Sequence, residues 1–165
     1  MTMESFLSQE ERNLYNPAYI GAILYHSIRE CQSNNPKGLH CALAYILIPL
    51  AVSNRYSEIL PKTVATPIAG WMADHEGNLI GFSESVNAFI DIVNSAIVFL
   101  LERKAVVLSE DGFFSITVDH IPRLPALVSN NQYFKHAFLS SGFIGRWFSG
   151  VSSVETIYAH LGVRP

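Results

Sequence analysis

The chain has 165 residues, of which 49% are apolar and only 15% charged, with a formal net charge of −3. That length suits one domain, and so apolar a composition excludes an intrinsically disordered chain. Near-neutral charge argues against a protein whose main task is gripping nucleic acid, because neutralising phosphates needs clustered Lys and Arg.

A charged fraction well below the roughly 25% of ordinary soluble domains fits either an unusually large core or a surface partly covered by a partner. The charge is uneven: residues 1–120 hold 7 Lys+Arg against 13 Asp+Glu, residues 121–165 four against one. Cys31 and Cys41 are too few for a disulfide framework, and the opening MTMESFLSQEER has no apolar signal core. A reducing, cytoplasmic setting is the expectation. The longest apolar run, Ala42–Val52, falls well short of the roughly 20 residues that span a bilayer, so no membrane segment is expected.

In chain order, Asn16-Pro17 reads as a cap followed by a first-turn proline. Ile20, Ile23, Leu24, Ile28 and Cys31 follow at helical spacing, and Asn34–Gly38 supplies the stop. A second helix is predicted over Leu39–Val52, apolar on nearly every face and interrupted by Pro49. Residues 54–62 read as a connector. Thr66-Pro67 repeats the cap-then-proline signal ahead of Ile68, Trp71, Met72 and His75, with Gly77 as the stop. The longest periodic stretch, Ser83–Arg103, aligns Val86, Phe89, Ile90, Val93, Ile97, Leu100 and Leu101 as one apolar face.

The period then changes. Ala105–Leu108 and Phe113–Val118 read as strands of a hairpin turned by Asp111-Gly112, and Pro122 and Pro125 flank a linker. A helix over Gln132–Ser149 carries a small-residue stripe, Ser141, Gly145 and Ser149, suited to close approach of another backbone. Ser152–Glu155 reads as a capping box opening a helix over Val154–Leu161 that Gly162 ends. The expectation is a single α+β, mainly helical domain over 1–165. Its winged-helix-like core covers about 14–120, several helices and a two-stranded hairpin, and a C-terminal helical extension covers about 121–165.

The residues that could carry chemistry do not assemble a motif. His26, Cys31, His40 and Cys41 lack the tight paired spacing of structural zinc. Cys41 and His40 cannot form a dyad merely as neighbours, since adjacent helical side chains diverge by about 100°. No Gly-x-Ser-x-Gly elbow is present, the acids Asp74, Glu76, Glu110 and Asp111 sit in turn-like segments, and Gly142–Arg146 lacks the ending of a phosphate loop. Neither enzyme activity nor a cofactor nor a metal is expected. The polar positions of the helix before the hairpin are Glu84, Ser85, Asn87, Asp91, Asn94 and Ser95, a poor surface to lay against phosphates. Aromatics with arginine, the residue types enriched at interface hot spots, gather instead in the C-terminal segment. Arg146, Trp147, Phe148, Tyr158 and Arg164 are therefore the candidate partner-interface residues, either docking directly or locking the terminal helix that docks.

Three segments carry a family resemblance. Leu14-Tyr15-Asn16-Pro17-Ala18-Tyr19 resembles an "LNPAF" opening, and Ala44–Leu50 with Leu60-Pro61 resembles an "LPLVL…LP" centre. Gly142–Phe148, Thr156–Tyr158 and Leu161–Pro165 are similar to an "FLGRWFA…TIYALLGVRP" closure. The family is the middle component of bacterial three-component ABC-ATPase systems. The resemblance implies a non-catalytic adaptor between an SMC-like ABC-type ATPase and an effector subunit, in defence against phages or other invading DNA. A homodimer and indirect contact with DNA inside the complex are compatible with it, and a winged-helix DNA-binding subunit is the alternative.

Overall fold

The computed structural model describes residues 7–117 and 126–164. Helix α1 (Gln9–Leu14), which the sequence reading passed over, opens on a capping box. The Ser8 hydroxyl accepts from the Glu11 N–H, and the Glu11 carboxylate accepts from the Ser8 N–H. Helix α2 (Pro17–Gln32) starts as predicted, with the Asn16 side chain accepting from the Tyr19 N–H and Pro17 in the first turn. It is buried almost all round from Ile20 to Cys31. Its neighbours explain this: α8 (Gln132–Phe148), α6 (Phe82–Glu102), α3 (Ala44–Val52) and the sheet all pack on it.

The predicted second helix is divided. Leu39–His40 is a strand, β1, Cys41–Leu43 a 3-10 turn, and α3 begins only at Ala44 and runs through Pro49. The cause is Gly38, at φ +92°, where a Cβ would stand 1.9 Å from the Phe114 carbonyl oxygen. That close approach commits Leu39 to a strand. β1 pairs antiparallel with β3 (Phe113–Ile116), Leu39 opposite Phe114 and His40 opposite Phe113. β2 (Val106–Leu108) pairs on the other side, Val106 opposite Ile116. The sheet therefore has three strands in the order β1-β3-β2, one more than the expected hairpin. A two-residue strand is too short to show an alternating pattern.

The connector holds a further short helix, α4 (Asn54–Ser57), and α5 (Ile68–Asp74) begins after Pro67 without a side-chain cap. Thr66 instead presents its carbonyl to the Trp147 indole. After the hairpin come α7 (Ala126–Ser129), α8 and α9 (Val154–His160). Val118 and the linker prolines Pro122 and Pro125 lie outside the described residues. The predicted cap of α9 shifts by one: Ser153 accepts from the Thr156 N–H, so Ser152 is not the cap.

Helix α8 shares one core with α2 and α3. The small-residue stripe explains how. A Cβ on Gly145 would stand 2.3 Å from the Ser27 carbonyl oxygen, and the Ser27 hydroxyl donates to the Ser141 carbonyl at 3.1 Å. The two backbones thus touch where Ser141 and Gly145 face α2.

By length and composition α6 alone, among the described residues, is long and apolar enough to cross a membrane, and 28% of its most apolar window is buried. Val86, Phe89, Val93, Ala96 and Leu100 point into the core, while Glu84, Asn87, Asp91, Asn94 and Ser95 line its outer side.

Candidate protein-docking site

Three of the five predicted interface residues are packed inside the chain. Trp147 is buried, donates its indole N–H to the Thr66 carbonyl at 2.7 Å, and meets Trp71 edge to face with centroids 5.2 Å apart. Trp71 donates in turn to the Ile59 carbonyl at 2.8 Å. The two indoles thereby pin both ends of the Pro-containing connector 59–67. Phe148 is buried against Trp147, ring centroids 5.8 Å apart. Tyr158 donates to the Ala42 carbonyl at 2.5 Å, and burial pushes its phenol up to about 12. These contacts fasten α8 and α9 to the body.

The two arginines differ. Arg146 keeps 40% of its side chain exposed while donating at 2.7 Å to Glu30, whose side chain is only 9% exposed. Arg164 is exposed on the rim of a groove that Trp147 does not line. It is brought there by the end of α9. Gly162, at φ +66°, lets the Val163 N–H bond back to the Tyr158 carbonyl at 3.0 Å, turning Val163 and Arg164 over α3.

That groove encloses about 510 Å³ between α6, the hairpin and the C-terminal segment. Its floor is apolar: Val86, Ile90 and Ile97 from α6, Leu108 and Phe114 from the sheet, and Val163. Its polar lining is Cys41, Tyr45, Asn87, Asn94, Tyr158 and Arg164, with the Tyr45 hydroxyl donating to Asn94 Oδ1 at 2.5 Å. Of the large exposed apolar side chains among the described residues, Ile90 of α6 and Leu108 of β2 line this groove and Leu101 continues the Ile90 stripe along α6, while Val64, Ile80, Val98, Val107 and Leu139 are exposed outside its lining. Contiguous exposed apolar surface marks interaction sites.

The chemistry-bearing residues stay apart. Among the described residues no three His, Cys, Asp or Glu side chains gather as a metal site. Cys31 is buried, donates to the Gly38 carbonyl, and is pushed up to about 11 by that burial, so it stays a thiol at neutral pH. His40 accepts the Ala42 N–H at Nδ1, capping the 3-10 turn. His26 stacks on Phe138 at 4.0 Å with Arg29 donating to its Nδ1.

A family model described as ABC-three component (ABC-3C) system Middle Component 3 matches residues 4–165. The chain belongs to this family. Comparison with curated proteins and with solved structures yields no match. The segments that carried the resemblance are those that seat the helices of this Middle Component 3 chain. Asn16-Pro17 caps α2, Gly142–Phe148 packs α8 on it, and Gly162–Arg164 closes the C-terminus over the groove.

Tyr45, Ile90, Asn94 and Leu108 were not among the expected interface residues. A signal for Ile90 lay in α6, whose apolar positions cover an arc wider than the roughly 100° needed to face one core. Ile90 and Leu101, read as core, are the excess.

Proposed function

We propose that this middle component is a non-catalytic adaptor that links an SMC-like ABC-type ATPase to an effector in a bacterial defence complex acting on phages or other invading DNA. The observation that carries the reading is the uncovered apolar face of α6 and β2, bordered by Arg164, in a chain whose family works within a multi-component ABC system. Arg164 and the exposed part of Arg146 are the polar contacts offered to partners. Trp147, Phe148 and Tyr158 act by holding α8 and α9 in place. The two free cysteines are in keeping with a cytoplasmic setting.

The element order α2-β1-α3…α6-β2-β3, with β3 central, supports a winged-helix core in which α6 stands where a reading helix would. The DNA-binding alternative draws no support from its surface, because Glu84, Asp91 and Glu102 lie exposed along it. The test is tagged purification from the native operon. The ATPase is expected to copurify with the chain, and its absence at low salt would overturn the adaptor reading. A salt-dependent gel shift by the isolated chain would replace it with the DNA-binding one.

A further inference from the structure

The exposed side of α6 has a repeat of its own. Asn87, Asn94 and Leu101 stand seven apart, with Ile90 and Ile97 between them, giving the three-four alternation of a coiled-coil seam. At about 100° per residue these five lie within one narrow stripe. Ile90 and Leu101 are exposed and Ile97 is half-buried. The seam runs about 21 Å along the helix at 1.5 Å per residue. Core-facing Val86, Val93 and Leu100 occupy a separate stripe and are already covered.

The two flanks of the stripe differ in charge. Glu84, Asp91 and Glu102 share one flank, all exposed, with Ser95 among them. The other flank is the side turned towards the groove that Asn87, Ile90, Asn94 and Ile97 themselves line; Arg164 is the one charged side chain among the described lining residues, and none of the three acids is among them. Whatever lies along α6 must therefore offer acid towards Arg164 and a cation towards the acidic flank. A second copy does so in one orientation. With the two α6 helices parallel and the two-fold axis running between them, the acidic flank of each copy meets the Arg164 flank of the other. With the helices antiparallel, acid faces acid and Arg164 faces Arg164.

We propose that the occupant of this face is a second copy of the chain, packed through parallel α6 helices. The proposal rests on reading the α6 face as a docking surface and names what fills it. In this arrangement each seam residue meets its own equivalent. Asn94 pairs with Asn94 of the other copy, the polar core pair that fixes register and two-strandedness in parallel coiled coils. Its Oδ1 already accepts from Tyr45, which holds the side chain and leaves its amide nitrogen to donate across the seam.

The test is cross-linking of the full chain in a Cys41→Ser background, with mass measured by light scattering. The unmodified chain is expected at twice its 18.3 kDa mass at micromolar concentration. Asn87→Cys is expected to form an interchain disulfide with itself on mild oxidation. Ile90→Lys, which sets two ammonium groups in one layer, is expected to give a folded monomer by far-UV circular dichroism. A monomer at all concentrations overturns the proposal, as does cross-linking of Asn87→Cys to Leu101→Cys, the antiparallel signature. A monomeric chain that copurifies with the ATPase, and loses it in Ile90→Lys, gives the face to a different partner and leaves the adaptor reading standing.

Discussion

Replacing Gly145 by alanine probes the closest contact in the fold. The added Cβ would stand 2.3 Å from the Ser27 carbonyl oxygen and 3.0 Å from its carbon. That is more than 1 Å inside the roughly 3.5 Å at which non-bonded heavy atoms rest comfortably. The obstruction is helical backbone on both sides, so no side-chain rotation relieves it. Forced overpacking costs about 1–3 kcal/mol. Separating α2 from α8 also weakens the Ser27–Ser141 hydrogen bond, worth about 1 kcal/mol. Against this, alanine gains about 1 kcal/mol over glycine inside a helix. The net expectation is destabilisation by about 1–3 kcal/mol. Urea unfolding followed by fluorescence of the buried Trp71 and Trp147 reads it as a midpoint lowered by about 1 M, for a slope near 2 kcal/mol/M. Gly70→Ala is the internal control, since the nearest atom to its Cβ is 4.0 Å away on the exposed side of α5. There the propensity gain stands alone and the midpoint rises. A neutral or stabilising Gly145→Ala would refute the close approach of α2 and α8.

Four further outcomes are expected. Arg146→Ala removes the Arg146 ion pair from the largely buried Glu30 carboxylate, and the half-exposed arginine limits the loss to about 1–2 kcal/mol. Arg164→Ala, with an exposed side chain, shifts the same urea midpoint by no more than about 0.5 kcal/mol. Trp147→Phe removes the donor to the Thr66 carbonyl, costing about 1–3 kcal/mol and quickening proteolysis between residues 59 and 67. Alkali should unfold the chain. Burial raises the Cys31 thiol from 9.0 to about 11 and the Tyr158 phenol from 10.0 to about 12. The unfolded chain therefore releases these protons first, so stability is full below about pH 9 and falls as pH rises towards 12. Phenolate absorbance should appear together with unfolding, and a phenolate signal well before loss of circular dichroism would contradict the burial.

Helices with long apolar periods and local caps could be read directly from the chain. Asn16-Pro17 and the Asp111-Gly112 turn act through neighbours in sequence, and both predicted elements formed. Leu39–His40 misled because its conformation is set by Phe114, far along the chain, and local pattern carries no trace of such a partner. The aromatics near the C-terminus were legible as a group but not as to direction. Trp147 and Tyr158 each find a backbone carbonyl inside the fold, at Thr66 and Ala42, and only packing shows that. The low charged fraction has two sources, a core that engulfs α2 and a face of α6 left bare.

The central place of α2 sets the timing of folding. Its ties to α8, Ser27 with Ser141 and Glu30 with Arg146, join residues 114 and 116 positions apart. At about 5–20 residues per second a ribosome needs roughly 6–23 s to deliver the second partner after the first. Throughout that interval α2 lacks the cover that α8 supplies. A chain so arranged completes its core only after α8 has emerged, through contacts of long range in sequence. A chaperone that shields α2, or a partner arriving as α8 emerges, would govern its yield more than the final stability does.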